Sequence, residues 1–173
     1  MGLSKTGNKD DFIKLVNENS NLIHKVCYLY CQSVSDRQDL FQEIVIQLWK
    51  AYGSFRGESK FSTWLYRIAL NTAISAYRKS QKNIFVNTVN FFPEELPDVV
   101  FDYEKEEKLK QLYTAVSRLT EIEKAIVMLY LDDKSYEEME SILGINQNTL
   151  RVKMSRIKDK LRQLIQNETY GAK

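Results

Sequence analysis

Apolar residues recur along this chain at intervals of three and four, which is the spacing of one face of an α-helix. A clear run is Leu40, Ile44 and Leu48. Residues that form turns are scarce, because the 173 residues include only 6 Gly and 2 Pro, too few for the many hairpins of an all-β chain. The hydrophobic share of 43% excludes a disordered chain. We therefore predict an all-α fold of long helices and short connections.

Helix signals in the N-terminal half indicate a first helical domain. Ser35 with Gln38 has the spacing of a capping box and predicts a helix that begins one residue after the serine. Gly53 and Gly57 interrupt this pattern, and a second long helix is predicted to begin near Ser62.

The stretch from residue 81 to residue 108 has the composition of a linker. It contains Pro93 and Pro97, and its three lysines and seven acidic residues give a net charge of −4. A solvent-exposed tether rarely carries four phenylalanines, so we expect this segment to lie against its own domains or against a partner. These phenylalanines are Phe85, Phe91, Phe92 and Phe101.

The C-terminal part has the sequence form of a helix-turn-helix. Thr120 with Glu123 and Ser135 with Glu138 are two further capping boxes, each predicting a helix start. Gly144 has the position of a left-handed C-cap, and a basic helix follows after a short turn, from about residue 147 to residue 164. Two helices joined in this way, the second of them basic, are typical of DNA-binding proteins.

The final helix carries a local positive field. Residues 149 to 162 contain six basic residues and one aspartate, which gives a net charge of +5. The basic residues are Arg151, Lys153, Arg156, Lys158, Lys160 and Arg162. At 100° per residue its buried stripe is predicted to be Leu150, Met154, Ile157, Leu161 and Leu164. The side chains left outward near the helix start, where base edges are reached, are Arg151, Val152, Ser155 and Arg156. A solvated basic helix is the alternative.

A second basic region, from residue 50 to residue 79, also has a net charge of +5 and is interleaved with aromatic rings. The rings are Tyr52, Phe55, Phe61, Trp64, Tyr66 and Tyr77. Rings beside phosphate-binding cations suit unpaired bases, although rings at helical spacing are equally compatible with a core. One predicted helix stripe here consists of Trp64, Arg67, Asn71 and Arg78.

The preceding helix has a different polar face, which is acidic and rich in amides and should repel nucleic acid. Its members are Asp36, Asp39, Gln42, Glu43 and Gln47, with Trp49 near the helix end. A protein partner and an ordinary solvated face are both compatible with this composition.

Several function classes are excluded by what the sequence lacks. It has no nucleophile elbow, no phosphate-binding loop and no dinucleotide-binding glycine turn, so we predict no catalytic residues. His24, Cys27 and Cys31 make a poor zinc site, and we predict neither metal nor cofactor. No stretch approaches the roughly 20 apolar residues of a membrane span, and the first eleven residues hold no apolar signal region. We therefore expect a cytoplasmic protein that is not inserted in a membrane.

Two long segments resemble regions of bacterial RNA polymerase sigma factors. The stretch FRGESKFSTWLYRIALNTA, preceded by DRQDLFQEIVIQLWKAY, resembles region 2 of this family. The stretch SRLTEIEKAIVMLYLDDKSYEEMESILGINQNTLRVKMSRIKDKL is similar to region 4. The two regions in this order with only a short linker resemble the extracytoplasmic function (ECF) group. The resemblance implies region 2 at residues 9–80, a linker at 81–108 and region 4 at 109–166.

The resemblance also implies roles for individual residues. Contacts with the clamp helices of the polymerase largest subunits are implied for Asp39, Leu40, Gln42, Glu43 and Gln47. Recognition of the opened promoter −10 element is implied for Phe55, Arg56, Ser59, Lys60, Phe61, Trp64, Arg67, Asn71 and Arg78. Recognition of the −35 element is implied for Arg151, Val152, Lys153, Ser155, Arg156 and Lys158.

The family resemblance further implies a non-enzymatic function, in which the chain gives core RNA polymerase its promoter specificity. The implied partners are the polymerase clamp helices and flap, promoter DNA and an anti-sigma factor. The chain departs from the family pattern in two places. Glu140 stands where a small residue is usual, so we expect it to point outward or to pair with a base such as Lys153. Val152 stands where a small polar residue is common, so the −35 sequence that is read could differ.

Two other function classes compete with this interpretation. A stand-alone regulator could combine the helix-turn-helix with an N-terminal sensor or dimer domain, but such a domain has no need of the basic, ring-rich stretch. A phosphodiesterase or nuclease would need a cluster of metal-binding carboxylates, and none is evident in the sequence.

Overall fold

Every regular element in the described part of the chain is a helix, which confirms the predicted all-α fold. The computed structural model describes residues 9–83 and 111–171. The chain divides into two compact units, Met1–Phe85 and Val86–Lys173. The predicted linker lies almost wholly outside the described residues. Among the helices that are described, none is long and apolar enough to cross a membrane.

Unit 1 is a bundle of four helices: α1 (Lys9–Glu18), α2 (Ser20–Tyr30), α3 (Val34–Tyr52) and α4 (Phe61–Asn83). Helices α2, α3 and α4 pack on one another, and α1 packs on α2 and α3. The fully buried side chains at the centre are Ile23, Val26, Ile44, Leu48, Leu65 and Leu70. The predicted spacing of Leu40, Ile44 and Leu48 is confirmed, since all three are buried on one face of α3.

The predicted start of α3 was two residues too late. Ser33, not Ser35, is the N-cap: its backbone is extended, and its side-chain oxygen accepts a hydrogen bond from the Asp36 backbone N–H at 3.0 Å. Ser35 therefore lies inside the first turn. Ser33 and Ser35 are both residue types that can cap a helix. The chain leaves α2 in an extended conformation at Cys31, and for this reason Ser33 is the residue at which the chain enters the helix.

Unit 2 contains α5 (helical residues 111–117), α6 (Glu121–Leu131), α7 (Tyr136–Leu143) and α8 (Gln147–Gly171). Helix α8 packs on both α6 and α7. The two predicted capping boxes, Thr120 with Glu123 and Ser135 with Glu138, are confirmed with both hydrogen bonds present. Helix α8 extends well beyond its predicted end at about residue 164.

Two left-handed residues end the helices of unit 2. Asp133, with φ of 54°, follows α6 in a Schellman motif. The Lys134 N–H donates to the Leu129 carbonyl, and the Asp133 N–H donates to the Tyr130 carbonyl. Gly144, with φ of 69°, ends α7 as predicted and donates its N–H to the Glu140 carbonyl at 2.8 Å.

Replacing Gly144 with alanine is expected to destabilise unit 2 by about 1 kcal/mol through backbone strain. A Cβ at this position would meet no atom within 4 Å, so crowding makes no contribution. The matched control is Gly53→Ala, because Gly53 also has an open Cβ position but has right-handed φ of −62°. Urea unfolding of both variants checks the prediction, and equal stability changes would contradict it.

Candidate nucleic-acid interface

The N-terminal half of α8 exposes the side chains that the helix periodicity predicts. Leu150, Met154 and Ile157 are buried against the rest of unit 2, while Leu161 and Leu164 are only half-buried. The opposite face is exposed and carries Arg151, Val152, Lys153, Ser155 and Arg156. Val152, at 51% exposure, is an apolar side chain in the middle of this polar surface. We call these five residues the α8 face.

Side-chain hydrogen bonds fix the start of α8 relative to α7. Asn146 Oδ1 accepts from the Thr149 backbone N–H at 2.8 Å, which caps the first turn of α8. Gln147 Nε2 donates to Glu140 Oε2 at 3.0 Å and so joins the two helices across the turn. Glu140 is half-buried and pairs with this amide, whereas we had expected an outward side chain or a pair with Lys153. The larger residue is accommodated because its carboxylate reaches the first residue of α8.

The positive field of α8 is concentrated at its N-terminal half. Lys160 Nζ lies 2.8 Å from a carboxylate oxygen of Glu123 on α6, and Arg162 Nη1 lies 2.8 Å from Asp159 Oδ1. Lys158 is half-buried, and its Nζ lies 3.1 Å from Tyr130 Oη. The net charge of +5 predicted along the helix thus overstates the field near its C-terminal part.

Glu123 connects the start of α6 to α8. One carboxylate oxygen accepts from the Thr120 backbone N–H at 2.9 Å and from Lys160 Nζ at 2.8 Å. Partial burial acts to raise the pKa of Glu123, but the hydrogen bonds from Lys160 and Thr120 and the lysine charge outweigh it and leave the pKa below its ordinary value of 4.5.

We expect Glu123→Gln to destabilise unit 2 by about 0.5–1 kcal/mol at neutral pH, because the amide keeps the capping box but loses the ion pair. The pKa of Glu123 is lower in the folded state than its ordinary value of 4.5, so its ionised carboxylate stabilises the fold. This stabilisation is complete above pH 4.5 and is lost as the pH falls through the pKa of the folded state. The difference between variant and parent should therefore shrink below pH 4.5. Denaturant unfolding between pH 7 and pH 3 measures this stability difference. A difference that does not change with pH would show that it does not come from the ion pair of Glu123.

Three aromatic rings form a cluster at the junction of the loop and α4. The ring centres of Phe55 and Trp64 lie 5.0 Å apart, those of Phe61 and Trp64 5.3 Å, and those of Phe55 and Phe61 5.6 Å. All three rings are half-buried, so the cluster is partly accessible. We call these residues the ring cluster. Gly57, with φ of 72°, turns the loop between its members.

The other rings of this basic region pack inside unit 1. Tyr66 is 3% exposed. The ring centres of Tyr52 and Phe12 lie 5.2 Å apart, and those of Tyr77 and Tyr30 lie 6.0 Å apart. The polar residues predicted to meet the −10 element surround the ring cluster in sequence and are all exposed: Arg56, Ser59, Lys60, Arg67, Asn71 and Arg78. Tyr66 is therefore closed to unpaired bases, whereas Tyr52 and Tyr77 are half-buried like the ring cluster but each pack against another ring of unit 1.

The acidic face of α3 is exposed at Asp39, Gln42 and Glu43. Gln47 is half-buried and donates to Glu43 Oε1 at 2.6 Å. Leu40 is 5% exposed and belongs to the core, so its side chain cannot present a docking contact as the family pattern had implied. Two apolar side chains continue this outer surface toward the helix end, Ile46 at 47% and Trp49 at 48% exposure.

The two cysteines have the properties of structural residues. Burial raises the pKa of Cys27 to about 12 and that of Cys31 to about 11, so both are protonated thiols at neutral pH. The His24 ring stacks on Phe41 with centres 4.7 Å apart. Within the described residues no three His, Cys, Asp or Glu side chains are grouped closely enough to hold a metal ion.

Two residues that the sequence reasoning missed contact Arg151. The Tyr136 ring centre lies 5.0 Å from the Arg151 guanidinium carbon, and Asn148 Oδ1 accepts from Arg151 Nη1 at 3.3 Å. Helical spacing could have indicated Asn148, which precedes Arg151 by three positions. No local pattern could have indicated Tyr136, which lies on the other helix of the motif.

The fold and these surfaces define a class of protein, a two-unit helical chain with a helix-turn-helix in its second unit. Comparison with models of protein families identifies the family to which this chain belongs. Residues 15–83 match the model for Sigma-70 region 2, and residues 109–161 match that for Sigma-70, region 4. The chain belongs to the sigma-70 family and, within it, to the ECF sigma factors, a family of promoter-specific transcription initiation factors.

Similar curated proteins agree with this assignment. ECF RNA polymerase sigma factor SigW of Bacillus subtilis is 26% identical over 174 residues, covering 94% of this chain and 93% of SigW. ECF RNA polymerase sigma-E factor of Escherichia coli is 32% identical over 156 residues, covering 83% of this chain and 82% of that protein.

Solved structures show the same fold. The sigma factor RpoE from Bartonella quintana, crystallised with the anti-sigma factor NepR, matches with a TM-score of 0.70 at 20% identity, covering 90% of this chain and 97% of RpoE. CnrH in complex with the cytosolic domain of CnrY matches with a TM-score of 0.67 at 20% identity, covering 94% of this chain and 92% of the matched one.

Proposed function

We propose that this chain binds core RNA polymerase and directs it to promoters with two elements, unit 2 reading the −35 element as a duplex and unit 1 capturing the opened −10 element. In this proposal region 2 spans residues 9–80, the linker 81–108 and region 4 109–166. The observation that carries it is that one short chain combines an exposed basic helix with a separate, partly accessible ring cluster at the junction of a loop and α4. Duplex reading and single-strand capture need these two different surfaces.

The −35 assignment rests on the α8 face. Its first turns expose Arg151, Val152 and Ser155 toward a potential major groove, and Lys153 and Arg156 add positive charge for phosphates. Lys158 takes a smaller share, because its ammonium group already contacts the Tyr130 ring and hydroxyl. The exposed methyl groups of Val152 are suited to a thymine methyl group.

The −10 assignment rests on the ring cluster and the cations beside it. Half-buried rings held at the junction of the loop and α4 provide a stacking platform for an unstacked base, which offsets an unpairing cost of a few kcal/mol. Exposed Arg56, Lys60, Arg67 and Arg78 provide charge for the strand backbone, and Ser59 and Asn71 can donate or accept hydrogen bonds.

Docking on polymerase is assigned to the outer face of α3. Asp39, Gln42 and Glu43 are exposed there, and Gln47 supports Glu43 through its amide hydrogen bond. An acidic, amide-rich surface disfavours DNA but is compatible with a protein partner, which in this proposal is the clamp helices. Leu40 contributes from the core by holding the helix in the bundle. Region 4 is assigned to the flap of the polymerase.

Regulation by an anti-sigma protein is part of the proposal, since RpoE was solved with the anti-sigma factor NepR. The chain is assigned to the cytoplasm, where polymerase and promoters are found. We assign it no catalytic step, cofactor or metal.

Run-off transcription with purified bacterial core polymerase tests the proposed function. The reactions contain promoter fragments from the host genome, with and without this chain, and a gel-shift assay with the chain alone runs in parallel. We expect discrete start sites only when chain and polymerase are both present. The isolated chain should bind promoters weakly, because polymerase holds the two units at a fixed spacing.

The opposite result would favour a stand-alone regulator. That class predicts unchanged transcription start sites and tight binding of the chain alone to a palindromic duplex, since dimeric regulators read paired half-sites.

A further inference from the structure

Arg151 differs from the other cations of the α8 face because it is held on two sides. The Tyr136 ring lies against its guanidinium, with 5.0 Å between the ring centre and Cζ. Asn148 accepts from Nη1 at 3.3 Å. Lys153 and Arg156 are exposed, and within the described residues of unit 2 neither has a ring or carboxylate contact.

Both groups that hold Arg151 are themselves fixed by their helix ends. Tyr136 is the first residue of α7, directly after the Ser135 capping box, and it is half-buried. Asn148 lies in the first turn of α8, which Asn146 caps. The hydrogen bond between Gln147 and Glu140 joins the first residue of α8 to α7, one turn after Tyr136. The stacking partner and the acceptor therefore belong to one rigid corner of unit 2.

Holding an arginine in this way changes how it can read a base. A long, flexible side chain loses conformational entropy when it binds, and a side chain that is already ordered loses less. The ring covers one flat face of the guanidinium, and the bond to Asn148 uses one N–H of Nη1. The remaining N–H groups of the edge are left for bidentate hydrogen bonds with guanine. Lys153 and Arg156 are better suited to phosphates, whose positions tolerate flexible partners.

We propose that Tyr136 and Asn148 are positioning residues that preorganise Arg151 to read one base pair of the −35 element. The inference rests on the proposed function, because it requires unit 2 to read duplex DNA. Tyr136 acts through its ring and not through its hydroxyl, so phenylalanine should replace it and leucine should not. Asn148 acts through its side-chain oxygen, which alanine removes.

The experiment is run-off transcription with polymerase and the full chain on a promoter library randomised across the −35 element. Arg151→Ala first identifies the base pair at which discrimination depends on the arginine. We expect Tyr136→Leu to lower discrimination at that same base pair by about two- to fivefold, from the strength of an exposed cation–π contact. Tyr136→Phe should retain the parental preference, and Asn148→Ala should cause a loss of about twofold. Other positions of the element should keep their preferences.

A double variant separates positioning from direct contact with DNA. When Arg151 is already alanine, adding Tyr136→Leu should cause no further change at that base pair. A further loss would mean that Tyr136 touches DNA itself and would overturn the positioning role. An equal loss at all positions with a lowered melting temperature would mean that the ring only supports the fold, and would also overturn it.

The outcomes separate this inference from the proposed function. If parental holoenzyme discriminates among −35 sequences but Arg151→Ala changes no position, the inference fails and the proposed function stands. If parental holoenzyme initiates nowhere, or shows no −35 preference, the proposed function fails and the inference with it.

Discussion

Replacing Trp64 with alanine is expected to reduce transcription from duplex promoters by about 5- to 100-fold, the equivalent of losing one base-stacking contact. Trp64 contacts both other members of the ring cluster, at 5.0 Å and 5.3 Å between ring centres. The substitution removes a stacking surface and also loosens Phe55 and Phe61. The loss should appear in the formation of open complexes, because the captured base is unstacked only once the duplex opens.

A template opened in advance over the −10 element distinguishes base capture from other roles of Trp64. On this template polymerase no longer bears the cost of melting, so the defect should be clearly smaller than on duplex DNA. The matched control is Tyr28→Ala, since Tyr28 is an exposed ring of unit 1 that stacks with Arg37 and lies outside every proposed interface. It should change transcription less than twofold. Equal defects on both templates would indicate that Trp64 acts elsewhere.

The features that the sequence predicted well are those determined by residues close together in the chain. The Thr120 and Ser135 capping boxes and the left-handed Gly144 depend on contacts within four positions, so each is fixed locally. Helical periodicity also predicted the buried residues Leu150, Met154 and Ile157 of α8, while Leu161 and Leu164 of the same predicted stripe are only half-buried. Even local reasoning failed at Ser35, where a second serine two positions earlier satisfied the same helix start.

The features that the sequence predicted poorly depend on contacts between distant residues. The charge of α8 was overestimated because Lys160 pairs with Glu123, 37 positions earlier. Helical spacing could not separate the accessible rings from Tyr66, whose burial is determined by the packing of α4 in the bundle. In each case the tertiary neighbour, not the residue type, decides what the side chain can bind.

Replacing Leu150 with alanine is expected to destabilise unit 2 by about 2–5 kcal/mol. Leu150 is fully buried, in the first turns of α8, and lies beside two other buried residues of that helix, Met154 and Ile157. Truncation removes apolar surface from the core and leaves a cavity that the capped helices cannot readily fill. Small domains have total stabilities at the low end of about 5–15 kcal/mol, so a loss of this size approaches unfolding.

Val152→Ala is the matched control, because it shortens an apolar side chain two positions later on the same helix. Val152 is 51% exposed, so the change should alter stability by less than about 0.5 kcal/mol. Comparing the two variants separates the buried face of α8 from the face proposed to read DNA. Val152→Ala should alter −35 preference with little change in stability, whereas Leu150→Ala should abolish −35 dependence through loss of the fold.

Hydrogen exchange measured along the full chain shows where the effect of Leu150→Ala is confined. Because the chain consists of two compact units, protection is followed unit by unit, which locates a loss of stability that denaturant unfolding of the whole chain only detects. We expect protection to fall in α6, α7 and α8, since α8 packs on both of the other helices. The bundle of α1 to α4 should keep its protection. Loss of protection in both units together would mean that the two cores unfold cooperatively, and the assignment of −35 reading and −10 capture to independently stable units would then have to be abandoned.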